Sequence, residues 1–175
     1  MNRDMSKQYE DFLGILPIGS KILDASCGPR RDSLIFMNHG YEVVALDGAI
    51  EMCQLAGAYI GKEVVHMQFN EIDFAPIFDG IWAAASLVHV PSYELEGILN
   101  KFKKALTPGG ILYTSFKYGD FEGEKNGRYY HDLSKARAEA LFTGLGFKIL
   151  KMWITEDILQ TYVDEKWINI LICKL

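Results

Sequence analysis

The segment 21–47 carries residues whose types and spacing suit nucleoside binding. An apolar run at 22–25 leads into a tight turn that contains Gly28, and a second apolar run at 43–46 is closed by Asp47. With helical spacing between the two runs, this order predicts a βαβ unit of about 30 residues. Such units bind nucleosides where the turn meets the helix, and a carboxylate after the second strand accepts hydrogen bonds from ribose hydroxyls. We therefore predict that Asp47 binds a ribose.

A longer apolar run at 78–87 ends in side chains that could reach the same ligand. Its continuity and small residues favour a central parallel strand that is buried on both faces. Ligands of such sheets bind at the carboxyl ends of the strands, which is where Ser86 and His89 follow. From the residues alone, His89 is a cleft residue or a structural histidine bonded to a backbone carbonyl.

The elements that must position these groups follow from hydrophobic periodicity and turn residues. The N-terminal segment 1–16 predicts an amphipathic helix. Further helices are predicted at 48–60, from Ser92 to the Pro-Gly-Gly turn at 108–110, and from Ser134 to 145. Strands are predicted at 22–25, 43–46, 63–69, 78–87, 111–116, 147–155 and 166–175.

The turn after the first strand resembles motif I of class I S-adenosylmethionine (SAM) dependent methyltransferases. It resembles most closely a small bacterial group that is related to the tellurite-resistance methyltransferases. The matching residues are Asp24, Cys27, Gly28, Arg31, Asp32 and Ser33. Ser26 and Arg30 stand where the family pattern has glycines. The resemblance continues at 79–91, Asp-Gly-Ile-Trp-Ala-Ala-Ala-Ser-Leu-Val-His-Val-Pro, and at the Pro-Gly-Gly turn.

The resemblance implies an α/β, Rossmann-like, doubly wound sheet of seven strands with SAM as cofactor. Its strands would be mostly parallel with an antiparallel last strand, and helices would cover both faces. Arg30 or Arg31 would face the cofactor carboxylate, and Asp73 or Glu71 would accept from the adenine amine. The cofactor-binding residues that it implies are Asp24, Ser26, Cys27, Gly28, Arg31, Asp47, Gly48, Asp73 and Ser86.

The segment 117–132 differs from the rest of the chain because it is rich in glycine, charge and aromatic rings without a clear period. We predict a long loop at the sheet edge that acts as a substrate lid, with a solvated loop as the alternative. The expected substrate contacts are Lys117, Tyr118, Arg128, Tyr129, Tyr130 and His131, four of which (Lys117, Tyr118, Arg128 and Tyr129) match the resembling group. Catalytic roles are expected for His89, Tyr118 and Arg128, and His131 is a further candidate base.

Length, charge and cysteine content restrict the class of protein. A chain of 175 residues with 49% hydrophobic content predicts one domain. The resemblance implies that the N-terminal segment 1–19 is a helical cover over the cofactor cleft, and a helix that only packs on the sheet is the alternative. The net charge of −5 argues against a general nucleic-acid binder. The cysteines, Cys27, Cys53 and Cys173, lack metal-ligand spacing and favour buried thiols in a reducing cytoplasm. We also expect neither a signal peptide nor a membrane span.

The sequence thus predicts a cytoplasmic SAM-dependent methyltransferase that acts on an unidentified small molecule. One rival is a degenerate methyltransferase fold that has lost SAM binding and acts as a binding or regulatory module. It is motivated by Arg30 at a glycine position and by Leu159 and Tyr162, which stand where the resembling group carries arginines. A second rival, a nicotinamide oxidoreductase, agrees poorly with the glycine pattern of the turn.

Overall fold

The computed structural model describes residues 5–28, 31–156 and 165–175. The expectations placed on Arg30, Leu159 and Tyr162 lie outside these ranges. The helices are α1 (Ser6–Leu13), α2 (Arg31–Asn38), α3 (Ile50–Ile60), α4 (Ser92–Ala105) and α5 (Lys135–Gly144). The strands are β1 (Lys21–Ala25), β2 (Glu42–Asp47), β3 (Val65–His66), β4 (Phe78–Ala83), β5 (Leu106–Lys117), β6 (Glu122–Lys125), β7 (Arg128–His131), β8 (Phe147–Glu156) and β9 (Lys166–Lys174).

Seven strands form one sheet in the order β3-β2-β1-β4-β5-β9-β8. The first five of these run parallel to one another, whereas β9 runs antiparallel to both β5 and β8. The predicted Rossmann-like sheet with an antiparallel last strand is therefore confirmed. The chain order reverses between β1 and β4, which places a ligand crevice beyond the carboxyl ends of these strands.

Apolar side chains cover both faces of the sheet. One core cluster joins Leu23, Ile81 and Ile170 to α4 and α5. On the other face, an aromatic cluster packs α1 and α2 against the sheet, with the rings of Phe12 and Trp82 5.2 Å apart. Helix α1 is thus held on the sheet beside α2, and helices pack on both faces of the sheet.

The predicted loop at 117–132 is wrong in part, because it contains the antiparallel hairpin β6–β7. Asn126 (φ 53°) and Gly127 (φ 73°) connect the two strands, and both have left-handed backbone. Two consecutive left-handed residues are what a two-residue type I′ hairpin turn requires, and Asn-Gly is its preferred sequence. The Asn-Gly pair was thus the available signal for this hairpin.

Within the described parts of the chain, no helix combines the length and apolar character that a membrane crossing requires.

Candidate functional site

A cavity of about 780 Å³ lies at the carboxyl edge of the sheet. It begins at the turns after β1 and β2, passes the end of β4 and reaches the end of β5 and the start of β9. Its lining residues are Ser26, Asp47, Gly48, Ala49, Met67, Gln68, Phe69, Ala85, Ser86, His89, Val90, Lys117, Arg128, Tyr130, Glu165 and Trp167. Because strand ends from both halves of the sheet contribute, the cavity occupies the crevice that the topology predicts.

Asp47 holds a fixed carboxylate at one end of this cavity. Its Oδ2 accepts from the backbone N–H of Gly28 at 3.0 Å, and its Oδ1 accepts from the backbone N–H of Ala49 at 2.9 Å. A carboxylate has about four lone-pair sites, so each oxygen can accept a further hydrogen bond. The carboxylate is therefore oriented by the protein and able to receive hydroxyl donors from the cavity.

The turn after β1 approaches Asp47 from the neighbouring strand. The backbone N–H groups of Ser26 and Cys27 both donate to the carbonyl of Leu46, each at 3.0 Å. Ser26 takes a left-handed backbone with φ 73°. Burial, together with the carboxylates of Asp24 and Asp47, raises the pKa of the Cys27 thiol to about 12, so this sulfur is not a thiolate nucleophile.

Gly48 and Gln68 form the wall next to Asp47. The Gln68 side-chain N–H donates to the carbonyl of Gly48 at 2.8 Å. A Cβ at position 48 would stand 2.8 Å from the Gln68 side-chain oxygen, so a larger residue there would require the Gln68 amide to shift. Glu71 supports the same turn by accepting from the Gln68 backbone N–H at 2.7 Å.

Asp73, a predicted contact of the adenine amine, lies outside the cavity lining and stays a prediction in that role. Its exposed carboxylate accepts from Lys104 at 2.6 Å, and this lysine is the first cause that lowers the pKa of Asp73. Gln68 and Phe69, a few residues earlier, line the cavity in its place. The sequence identified the loop after β3, but it did not show which of its side chains turn toward the cavity.

His89 lies at the middle of the cavity with one ring nitrogen already bound. Its Nδ1 is 2.8 Å from the backbone carbonyl oxygen of Tyr129, and its ring meets the Tyr130 ring edge-on at 5.0 Å. Since a carbonyl only accepts, Nδ1 carries the proton and Nε2 is the acceptor of the neutral ring. His89 is therefore both a cleft residue and a histidine bonded to a backbone carbonyl.

Charged and aromatic side chains line the other end of the cavity. Lys117 and Glu165 form an ion pair at 2.7 Å, and the Lys117 ammonium lies 4.5 Å from the centre of the Tyr130 ring. The side chain of Arg128 has no hydrogen-bond or ion-pair partner among the residues that the structure describes, although its backbone pairs with Lys125 in the hairpin. Sequence reasoning missed Glu165 and Trp167, although the antiparallel direction of β9 brings its first residues to this edge.

Three predicted substrate contacts lie away from the cavity lining. Tyr118 is exposed, and the hydroxyl of Tyr129 donates to Glu122 at 2.8 Å. His131 is buried beside Arg137, and burial lowers its pKa. These three residues stay predictions as ligand contacts, whereas Lys117 and Arg128 line the cavity.

Beneath the turn, a buried network joins β1, α1, α2 and β4. The Ser33 hydroxyl donates to Asp24. Burial, and then the charge of Asp32, raise the pKa of Asp24 to about 8. Asp32 accepts from the hydroxyl of Tyr9 at 2.6 Å and from the indole of Trp82 at 2.7 Å. Asp24 therefore supports the turn from below and is absent from the cavity lining.

Arg31 is also bound to this network. Its Nε donates to Asp32 at 2.6 Å, and its side chain lines a second, smaller cavity instead of the main one. Among the predicted cofactor contacts, those on the main cavity are Ser26, Asp47, Gly48 and Ser86.

The residues present fit SAM. Asp47 offers oriented acceptors for ribose hydroxyls, and the side-chain oxygen of Gln68 suits an amine donor such as that of adenine. The Ser86 hydroxyl is buried without a partner among the described residues, so a ligand in the cavity could satisfy it.

Comparisons with known proteins agree with this geometry. The sterol 24-C-methyltransferase ERG6B of Gibberella zeae is 32% identical over 81% of this chain, which spans 37% of that protein. A SAM-dependent methyltransferase from Methanosarcina mazei has a TM-score of 0.83 at 20% identity, covering 95% of this chain and 98% of that one. The 1,6-didemethyltoxoflavin-N1-methyltransferase of Burkholderia thailandensis has a TM-score of 0.80 at 21% identity, and the match covers 98% of this chain and 77% of that one. Both solved structures share the fold.

The chain spans about two fifths of the length of the first curated relatives that it matches. A family model described as a methyltransferase domain matches residues 22–110, which run from β1 through the Pro-Gly-Gly turn and include the end of the main cavity that holds Asp47. The match takes in just over half of the sequence, and the chain belongs to this methyltransferase-domain family, within the class I SAM-dependent methyltransferases.

Proposed function

We propose that this chain transfers the methyl group of SAM to a small molecule that binds in the main cavity. The observation that carries the proposal is the Asp47 carboxylate. Two backbone N–H groups hold it at the end of the cavity, and each of its oxygens can accept a further hydrogen bond. The finer likeness to the tellurite-resistance group is part of the proposal and rests on the motif at 79–91.

The end of the cavity around Asp47 holds the cofactor in this proposal. Asp47 accepts from the ribose hydroxyls, and Gln68 accepts from the adenine amine while Phe69 and Met67 pack beside it. The backbone of Cys27 and Gly28 faces the methionine portion. Ser86, whose hydroxyl lacks a partner among the described residues, hydrogen-bonds to the ligand.

The opposite end of the cavity holds the acceptor. SAM, when bound, supplies a methyl group on a positively charged sulfur, so the protein mainly has to align donor and acceptor and exclude water. Tyr130 and Trp167 pack against the acceptor, and Arg128 offers a charged donor. His89 takes a proton on Nε2 when the acceptor must lose one, because its Nδ1 is fixed to Tyr129.

Calorimetry with S-adenosylhomocysteine, SAM and NAD tests the proposal. We expect micromolar binding of the first two and none of NAD. Asp47→Ala should weaken S-adenosylhomocysteine binding by at least about tenfold, because two charge-assisted hydrogen bonds are lost. The matched control is Asp73→Ala, which removes a carboxylate outside the cavity and should leave this affinity unchanged.

The other outcomes separate the rivals. A folded wild-type protein that binds none of the three ligands would support the degenerate module, and restoring Arg30→Gly would then show whether that residue is the cause. Binding of NAD alone would support the oxidoreductase.

A further inference from the structure

The hairpin β6–β7 stands apart from the main sheet and still forms part of the wall of the main cavity. Among the described residues, its two strands pair only with each other. Arg128 and Tyr130, both on β7, line the cavity. A two-stranded hairpin is only marginally stable by itself, so contacts with the rest of the protein must hold it in place beside the cavity.

The backbone carbonyl of Tyr129 on β7 makes one of these contacts, and it reaches the residue that we propose as the base. The Nδ1–H of His89 donates to this carbonyl at 2.8 Å. The hydrogen bond that one ring nitrogen makes determines which of the two nitrogens carries the proton. The free acceptor at Nε2 of His89 therefore depends on the position of β7.

Glu122 on β6 connects β7 to the start of α4 through a single oxygen atom. Its Oε1 accepts from the hydroxyl of Tyr129 at 2.8 Å and from the backbone N–H of Ser92 at 2.8 Å. A carboxylate is favoured at this place, because the N-terminal end of a helix attracts negative charge. Ser92 lies three residues after His89 in the chain, so the contacts close a ring that returns to the histidine.

Other contacts hold the hairpin without directing the imidazole. The backbone N–H of Leu133 donates to the carbonyl of Lys117 at 2.9 Å, which fixes the chain just after β7. The ring of Tyr130 meets the His89 ring edge-on, and ring packing of this kind does not select between the two nitrogens. Glu122 differs from these contacts because it binds the side chain of the residue whose carbonyl the imidazole needs.

We propose that Glu122 is a positioning residue for methyl transfer, which acts through Tyr129 to keep Nδ1 of His89 protonated and Nε2 free to take the proton of the acceptor. Glu122 is absent from the cavity lining, so it acts without touching cofactor or acceptor. The inference rests on the proposed function, because it assigns a role in the proton transfer proposed there. Loss of the fixed tautomer should slow the reaction of a protonated acceptor and leave SAM binding unchanged.

Nitrogen-15 NMR of the imidazole rings tests this coupling in the full chain at pH 8 without ligand. The chain has four histidines, and His89→Asn identifies the signals of residue 89 by their loss. We expect the Nδ1–H tautomer of His89 to dominate in the wild-type protein. Glu122→Ala should lower the ratio of the Nδ1–H to the Nε2–H tautomer by about threefold or more, since exposed carboxylates contribute modestly.

Three further variants separate positioning from a general loosening of the hairpin. Glu122→Gln keeps an amide oxygen for both donors and should restore most of the wild-type ratio. Tyr129→Phe removes the hydroxyl and keeps the backbone carbonyl, so it should shift the ratio in the same direction as Glu122→Ala. Glu124→Ala removes a carboxylate from the same exposed strand and should leave both the ratio and the rate unchanged.

Steady-state kinetics on an acceptor from a labelled-methyl screen measures the consequence for the reaction. In Glu122→Ala we expect kcat to fall with the tautomer ratio, by about threefold or more, because fewer molecules present a base at Nε2. The KM for SAM should stay the same, since the cofactor end of the cavity is unaltered. Glu122→Gln should recover kcat together with the ratio.

The inference is overturned if Glu122→Ala keeps the wild-type tautomer ratio, or if Glu124→Ala shifts the ratio as much. A ratio that falls without a fall in kcat also overturns it. If Glu122→Ala does not fold, as judged by circular dichroism, the same outcomes in Tyr129→Phe decide. Because the NMR measurement needs no ligand, failure of the coupling in a protein that binds S-adenosylhomocysteine removes this inference alone. An intact coupling in a protein that does not bind S-adenosylhomocysteine removes the proposed function, and the role of Glu122 in it.

Discussion

Single residues at the cavity adopt backbone that only glycine takes at no cost. Ser26 (φ 73°) and Ala85 (φ 51°) both have left-handed backbone, and both line the main cavity. Left-handed backbone costs an ordinary residue about 1–2 kcal/mol and is retained where the surrounding structure imposes it. At position 26, serine therefore adopts the conformation for which the resembling family uses glycine.

Ser26→Gly should raise the free energy of unfolding by about 0.5–1 kcal/mol. Glycine removes the left-handed strain, and the greater freedom of the unfolded chain offsets part of that gain. Urea unfolding at neutral pH measures the change, and Ser26→Ala is the control because alanine keeps the strain. A Ser26→Gly protein no more stable than the alanine variant would contradict the strain at this position.

His89→Asn should slow methyl transfer while leaving cofactor affinity unchanged. Asparagine can keep a donor near the carbonyl of Tyr129, but it provides no base at the place of Nε2. For an acceptor that must lose a proton, the expected fall in kcat is about 10²-fold or more. The measurement pairs single-turnover rates on an acceptor from a labelled-methyl screen with calorimetry of S-adenosylhomocysteine. An unchanged kcat would remove His89 as the base.

Elements with a strong local pattern were predictable, and those without one were not. The βαβ unit, the helix from Ser92 and the buried last strand follow from apolar runs and their turns, and the sheet confirms them. The hairpin β6–β7 was missed because its first strand, Glu-Gly-Glu-Lys, is polar and exposed. Such a strand pairs through its backbone and leaves no hydrophobic alternation to recognise.

Side-chain direction at the site was the other limit of the sequence. The strand ends predicted which loops meet, and Ser26, Asp47, Ser86 and His89 lie on the cavity as expected from topology. Gln68 was not predicted, because its orientation depends on packing against Gly48 across two strands. Contacts between elements of this kind have no local signature in a single sequence.

Glu122→Ala should release the hairpin from α4. The Glu122 carboxylate accepts from the backbone N–H of Ser92 at 2.8 Å and from the Tyr129 hydroxyl at 2.8 Å. The Ser92 hydrogen bond is the main reason that the pKa of Glu122 falls to about 2. Because the pKa of Glu122 is lower in the folded protein, its ionised carboxylate stabilises the fold at pH values above the unfolded pKa of about 4.5. This stabilisation is lost only as the pH falls toward 2. The anchor therefore persists throughout pH 5–8.

Limited proteolysis with trypsin measures this release at Lys125 and Arg128. We expect faster cleavage in Glu122→Ala, with little change in global melting because the carboxylate is exposed. Glu124→Ala, in the same exposed strand, is the control. Equal cleavage rates in the two variants would show that the hairpin is held by other contacts.

At the scale of the whole molecule, three carboxyl groups are buried beneath the ligand crevice. Asp24, Asp32 and Asp47 are all at least nine-tenths buried, and they come from β1, α2 and β2. Asp32 accepts from three side chains, those of Tyr9, Arg31 and Trp82, whereas Asp24 accepts from the hydroxyl of Ser33. The carboxyl group of Asp24 is therefore buried with few hydrogen-bond donors, which makes the stability of the protein depend on pH.

That dependence has a definite sign. Burial and the charge of Asp32 raise the pKa of Asp24 from 3.8 to about 8, so the folded protein keeps a proton that the unfolded chain loses. This contribution to stability is complete below pH 4 and is lost as pH rises to 8, with a slope of at most about 1.4 kcal/mol per pH unit. Asp24→Asn removes the titration and still accepts from Ser33. Its free energy of unfolding relative to wild type, from urea titrations at pH 5, 6.5 and 8, should therefore rise with pH, whereas that of the exposed control Asp73→Asn should not. Parallel wild-type and Asp24→Asn profiles would mean that Asp24 is ionised in the folded protein, and the turn above it would then rest on a charged carboxylate.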